Sequence, residues 1–211
     1  MELKGPLIRT GHPPHFRTQK ENSLTLSRIL RKVALFSFIF LFSFHLPNFI
    51  SEVNQRDETI REILGVLERQ ATGLADVTKE ELAEVIYEEA TRHNHDPKFI
   101  LALIATESSF RNWSVSEQGA KGLMQIMPYV AESIARELGI EWSGDRTLFN
   151  PFLNIRMGIH YLSRLVLDFN DLGVALAAYN YGPTYVKGLI ERKERVPVNY
   201  YRRILTAYKS L

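Results

Sequence analysis

Ile104-Ala105-Thr106-Glu107-Ser108-Ser109-Phe110 carries an apolar helix into a carboxyl group, and the rest of the chain reads outward from it. Upstream, Asp96-Pro97 pairs an N-cap residue with a proline at the first helical position. From Lys98 onward, Ile100, Leu103, Ile104 and Glu107 recur at spacings of three and four and share one face. A carboxyl group at the end of an apolar stripe is partly desolvated. Desolvation disfavours its charged form and raises its pKa, which suits a general acid working near neutral pH. Spacing alone leaves a second reading open, a solvated Glu107 on a helix that stops at Ser108-Ser109.

The 211 residues suit one domain with an appendage. Apolar content of 45% and charged content of 24% are those of a globular chain, and a net charge of +2 is too small to argue for a nucleic-acid partner. The absence of cysteine excludes disulfides, thiolate catalysis and Cys-ligated metals. His93-Asn94-His95 has no further ligand cluster around it and reads as a polar helix end, so no metal and no cofactor are expected.

Charge divides the N-terminal third. Residues 1–32 carry seven Lys/Arg against two Glu, with Pro6, Pro13 and Pro14, and read as a disordered basic tail. From Val33 to Ile50 there is no Lys, Arg, Asp or Glu. Eighteen helical residues reach roughly 27 Å, just short of a hydrocarbon core of about 30 Å. The run reads as an uncleaved signal-anchor; the alternative is a signal peptide, though bulky Phe44-His45-Leu46-Pro47 offers no small-residue cleavage site. The preceding basic residues place the N-terminus in the cytoplasm and everything after the run outside it. Residues 51–76 carry Ile60, Ile63, Leu64 and Leu67 at helical spacing and read as a helical spacer.

Residues 77–211 read as a mainly α domain with at most a small β-hairpin. Thr78-x-x-Glu81 is a capping box opening a helix to about Asn94. Gly119-Ala120-Lys121-Gly122 marks a tight turn or hairpin. Pro128 opens a helix closed by Gly139, and Asn150-Pro151 opens another to about Phe169. Leu172–Tyr181, Tyr185–Glu194 and Tyr200–Ser210 complete the set.

Four blocks of this domain resemble the family 1 lytic transglycosylases, helical domains of the lysozyme-like, goose-type/SLT kind. They are Glu107-Ser108-Ser109-Phe110; Ser116 through Gly122-Leu123-Met124-Gln125-Ile126-Met127-Pro128; Asn150-Pro151-Phe152-Leu153-Asn154-Ile155 with Gly158 and Tyr161-Leu162; and Ala177-Ala178-Tyr179-Asn180-Tyr181-Gly182-Pro183. The resemblance covers roughly residues 82–205. It implies that Glu107 is a single catalytic acid/base, that Ser116, Gln125 and Met127 line a sugar groove, and that Tyr179 and Asn180 frame the carboxyl. It also implies a late tyrosine near that carboxyl. Tyr200 is the assignment, although Tyr200-Tyr201 offers two candidates and Val198-Asn199 stands where the family has Glu-Thr.

The resemblance further implies cleavage of peptidoglycan between N-acetylmuramic acid and N-acetylglucosamine, leaving 1,6-anhydromuramoyl ends. Glycosidases normally pair two carboxylates. One suffices if the muramoyl C6 hydroxyl replaces water, an intramolecular attack that gains from proximity. Two other functions stay open: a hydrolytic muramidase like goose-type lysozyme, and an inactive peptidoglycan-binding scaffold of an envelope-spanning machine. The expected partners are glycan strands and, through residues 33–50, the cytoplasmic membrane.

Overall fold

The computed structural model describes the backbone of residues 18–211, and the side chains of residues 27–37, 40 and 51–211. Its helices are α1 (Thr18–Glu68), α2 (Lys79–Arg92), α3 (Pro97–Ser108), α4 (Pro128–Leu138), α5 (Asp145–Phe149), α6 (Pro151–Phe169), α7 (Leu172–Tyr181), α8 (Pro183–Glu191) and α9 (Asn199–Ser210). Two compact units divide between Asn54 and Gln55.

In the first unit, α1 is already helical from Thr18, inside the tail expected to be disordered. The side chains of Ile29, Leu30, Val33, Leu35, Phe36 and Phe40 are exposed. Among the described residues no helix is long and apolar enough to cross a membrane. Of the expected 33–50 span, residues 38–39 and 41–50 lie outside those whose side chains are described.

The second unit begins inside α1. Ile63, Val66 and Leu67 are buried in its core, with Ile60 and Leu64 packed against them. The spacer expected over 51–76 is thus part of the domain from residue 55. Its apolar stripe faces protein, and each such side chain removed from water contributes roughly 1.5–3 kcal/mol. The segment after α1 is pinned as well. Lys79 Nζ donates to the Gln70 carbonyl at 2.9 Å, Asn112 N to the Thr72 carbonyl at 2.8 Å, and the Trp113 indole N–H to the Gly73 carbonyl at 2.6 Å.

The helix starts follow their sequence signals. Thr78 and Glu81 form the reciprocal capping box. Asp96 accepts from Lys98 N at 2.9 Å, Asn150 from Leu153 N at 3.1 Å and Asp171 from Val174 N at 2.8 Å. Each bond satisfies an amide that the first helical turn leaves unpaired. α3 differs from the expected one-sided helix. Every residue from Ile100 to Ile104 is buried, so α3 is a central helix, packed on α2 and α9.

The expected hairpin is reduced to two isolated antiparallel bridges, Val115 to Lys121 and Lys121 to Ile126; no regular strand occurs among the described residues. Positive φ at Gly119, Gly122 and Gln125 turns the chain too often for a ladder to extend. α5 was not foreseen, because five residues are too few to display a period.

Candidate active site

Glu107 sits in the last turn of α3. Its carboxyl is pushed up from the ordinary 4.5 to about 7. Burial is the main cause, and the hydrogen bond from Tyr200 and the charge of Arg203 pull back against it. The negative end of the α3 dipole adds to the disfavour of a carboxylate there. At neutral pH the group is poised between its acid and base forms.

α9 supplies the control of that carboxyl. Tyr200, 2% exposed, donates its hydroxyl to Glu107 Oε1. One turn on, Arg203 Nη2 donates to the Thr106 carbonyl at 3.1 Å, which holds its guanidinium beside the end of α3. Of the two adjacent tyrosines, Tyr200 reaches the carboxyl and Tyr201 packs against the core. Arg203 was not legible in the sequence: it looks like any surface cation on an amphipathic helix.

α7 supplies Tyr179. Its hydroxyl donates to the Met124 carbonyl at 2.8 Å, and its ring lies 5.3 Å from that of Tyr161. Burial, then the Glu107 charge, raises the Tyr179 hydroxyl well above its usual range, and the same two causes act on Tyr200. Both phenols therefore stay protonated, as hydrogen-bond donors.

The 114–127 segment forms the facing wall. Gln125, at φ 48°, donates its side-chain amide to the Ser114 carbonyl at 3.0 Å and the Gly122 carbonyl at 2.9 Å. Both amide hydrogens are used on the turn, so Gln125 can offer a ligand only its Oε1. Ser116 Oγ accepts from Ala120 N at 3.0 Å and holds the preceding turn. Met127 is the residue before Pro128 at the start of α4. Ser109 and Phe110, just past Glu107, also carry positive φ. Non-glycine residues in this region of backbone space are uncommon, and two of them directly follow the Glu107 turn.

Gln125, Met127, Tyr179 and Asn180 border one cavity of about 240 Å³. Its rim residues Tyr129, Tyr161 and Tyr181 also border a second cavity of about 550 Å³, which extends to Arg164 and Tyr185. Together they make a groove in which Tyr129, Tyr181 and Tyr185 present exposed rings. Glu107, Ser116 and Tyr200 do not line either cavity. Glu117, the carboxylate nearest in sequence, is exposed, and no carboxylate is among the groups that shift Glu107.

One supporting residue was visible in the sequence only as part of a block. Asn154, fully buried on α6, accepts from Met124 N at 2.8 Å and donates to the Lys121 and Leu148 carbonyls at 3.0 and 2.9 Å. It fastens the turn bearing Gln125 to the core. Gly122 permits this contact, since a Cβ there would lie 2.2 Å from Asn154 Nδ2. Gly158 does the same for Met124, whose Sδ would lie 2.5 Å from a Cβ. The available signal was a polar residue on the core face of an otherwise apolar helix.

A buried carboxyl with a raised pKa, on a helical domain that also carries a tyrosine-lined groove, marks a candidate enzyme site. The family model for the transglycosylase SLT domain matches residues 84–201, and the chain belongs to that family. It is 30% identical over 131 residues to the membrane-bound lytic murein transglycosylase C of Histophilus somni, covering 57% of this chain and 36% of that protein. It is 36% identical over 110 residues to the membrane-bound lytic murein transglycosylase F of Desulfosudis oleivorans, covering 49% of this chain and 22% of that one. The chain thus spans well under two thirds of these relatives. The solved structure of the lytic transglycosylase Slt from Pseudomonas aeruginosa superposes with a TM-score of 0.48 at 29% identity, over 59% of this chain and 21% of that one.

Proposed function

We propose that this protein is a peptidoglycan lytic transglycosylase with Glu107 as its single general acid and base. The observation that carries the reading is the Glu107 carboxyl, held near pH 7 by burial while Tyr200 donates to it. Protonated Glu107 gives its proton to the glycosidic oxygen between N-acetylmuramic acid and N-acetylglucosamine, and the C1–O bond breaks. The carboxylate then takes the proton of the muramoyl C6 hydroxyl as that oxygen bonds to C1. The product is a 1,6-anhydromuramoyl end. The acid is restored without water, so no second carboxylate is required.

In this reading Tyr200 steadies the carboxylate between the two steps. Gln125, Met127, Tyr179 and Asn180 seat the sugars next to the bond, and Ser116 shapes the turn beside them. The strand continues over Tyr129, Tyr181 and Tyr185, whose rings offer apolar faces with polar tips. Residues 33–50 anchor the chain in the cytoplasmic membrane with the domain on the periplasmic side. The charge-free run, the basic residues before it and the exposed side chains of Val33, Leu35 and Phe36 within it support this.

The test uses the full chain in detergent with purified peptidoglycan, the released muropeptides being read by mass spectrometry. Anhydromuramoyl ends, absent with Glu107→Gln, are the expected result. Reducing muramic ends would assign hydrolysis instead, and no release from folded protein would assign a scaffold.

A further inference from the structure

A third cavity, bordered by none of Glu107, Gln125 and Tyr179, lies between residues 75–77, the turn after α3, α5 and the start of α6. It holds about 340 Å³ and shares no residue with the groove described above. Ligand cavities begin at about this size. Trp113 borders it, 56% exposed, on a helical domain whose other tryptophan is half-buried. The ring is held in place: its N–H is bonded to the Gly73 carbonyl, and Phe149 lies 5.1 Å away, centroid to centroid, at 37°. An exposed indole fixed in this way keeps one face on offer at little further entropic cost, and large exposed aromatics with satisfied polar atoms mark binding surfaces.

The polar lining is of a definite kind. Asp76, Asp145 and Arg146 border the same cavity. Asn112 borders it too, is 2% exposed, and donates Nδ2 to the Phe149 carbonyl at 2.9 Å, while its buried Oδ1 has no partner. A buried acceptor without a donor is costly and rare in a native fold. Aromatic faces, carboxylates that accept hydroxyls and an acceptor short of an N–H match a pyranose ring bearing an acetamido group. A purely apolar ligand would leave the buried Asn112 Oδ1 unanswered, and Asp76 and Asp145, the latter also paired with Lys121 Nζ at 2.6 Å, still have oxygens to offer hydroxyls.

We propose that this cavity is a second glycan-binding site, taking an N-acetylhexosamine unit against Trp113 and Phe149. It would hold one part of a strand, or a neighbouring strand, while the tyrosine-lined groove holds another. The two sites lie on one stretch of chain: Asn112 and Trp113 face the cavity, and the next carbonyl, of Ser114, is held by Gln125. The inference rests on the reading of the protein as glycan-acting, and its test separates the two.

The probe is N,N′,N″-triacetylchitotriose, titrated into the isotopically labelled full chain in detergent and followed by NMR. The indole N–H of Trp113 and the Asn112 amide should shift along their own saturation curve, together with the Gln125 and Tyr179 region. Trp113→Ala should weaken that curve at Asn112 at least about fivefold, the size of one lost aromatic anchor. It should also reduce retention on insoluble peptidoglycan, with the rate on short soluble glycan unchanged. Shifts confined to Gln125 and Tyr179 would overturn this inference and leave the proposed function standing. Shifts at neither place would remove both. Should Trp113→Ala fail to fold, the wild-type titration alone decides the matter.

Discussion

The end of α3 and the start of α6 each put a polar side chain into dense core, and they treat it in opposite ways. Asn154 makes three hydrogen bonds at 2.8–3.0 Å and is fully buried. The helix carrying it begins with an ordinary Asn150-Pro151 cap. Glu107 has the Tyr200 hydroxyl, the charge of Arg203 and a desolvated carboxyl, on a helix followed by two residues of positive φ. A satisfied buried amide rigidifies what it touches. A carboxyl short of partners keeps a proton it would otherwise lose. The difference teaches that a closed polar network fixes the turn bearing Gln125, while Glu107 is left open, with few partners and a raised pKa.

The largest effect expected from breaking this contrast is at Glu107. Glu107→Gln should lower muropeptide release by about 10²–10⁴-fold, the range of general acid–base catalysis. The same change should not destabilise the fold. The folded carboxyl titrates near 7 and the unfolded one near 4.5. Between those values the unfolded chain ionises first, so wild-type stability falls as pH rises, by on the order of 3 kcal/mol, and levels off above 7. Gln carries no such loss. Urea unfolding should find Glu107→Gln the more stable protein at pH 8, with the gap closing toward pH 4. A gap independent of pH would mean that Glu107 is not the open site.

Asn154→Asp tests the closed one. It removes the donor to the Lys121 and Leu148 carbonyls and puts an ionisable group in their place. A cost on the order of 3–5 kcal/mol is expected. Thermal unfolding would show it, and activity should fall with the folded fraction. An Asn154→Asp protein of wild-type stability but without activity would make Asn154 part of the chemistry and erase the contrast.

Legibility in the sequence followed the same division. Caps and prolines located most helices to within a residue or two, because each is a local bond between neighbours: Thr78 with Glu81, Asp96 with Lys98, Asn150 with Leu153. At Glu107 the apolar stripe allowed burial but left a solvated residue equally open, and only the motif blocks around it singled the residue out. The rest depended on contacts far along the chain. Arg203 meets Thr106 across 97 positions, and Asn154 meets Met124 across 30. The 51–76 stretch misled for the same reason. Its stripe shows that one face is apolar, and what that face covers is decided by packing. Leu67→Ala measures the point: 1% exposed, it should cost about 2–4 kcal/mol by thermal unfolding, where a solvated spacer would lose almost nothing.

The smallest effect, and the one that sharpens the comparison most, belongs to Tyr200. Its hydroxyl bond lowers the Glu107 pKa, against the rise caused by burial. Tyr200→Phe keeps the ring in the core and removes only that donor. The Glu107 pKa should therefore rise above its present value near 7, and the alkaline limb of the rate profile, where the acid form is lost, should move up with it. The carboxylate formed midway through the reaction loses a charge-assisted bond of roughly 1.5–3 kcal/mol, so the rate at neutral pH should fall about 10- to 150-fold. Tyr201→Phe is the control, since Tyr201 packs against the core and has no bond to Glu107. A limb that moves down, or equal shifts in the two variants, would show that the carboxyl is tuned by burial alone. The open site would then owe its pKa to the end of α3, with no adjustment from α9.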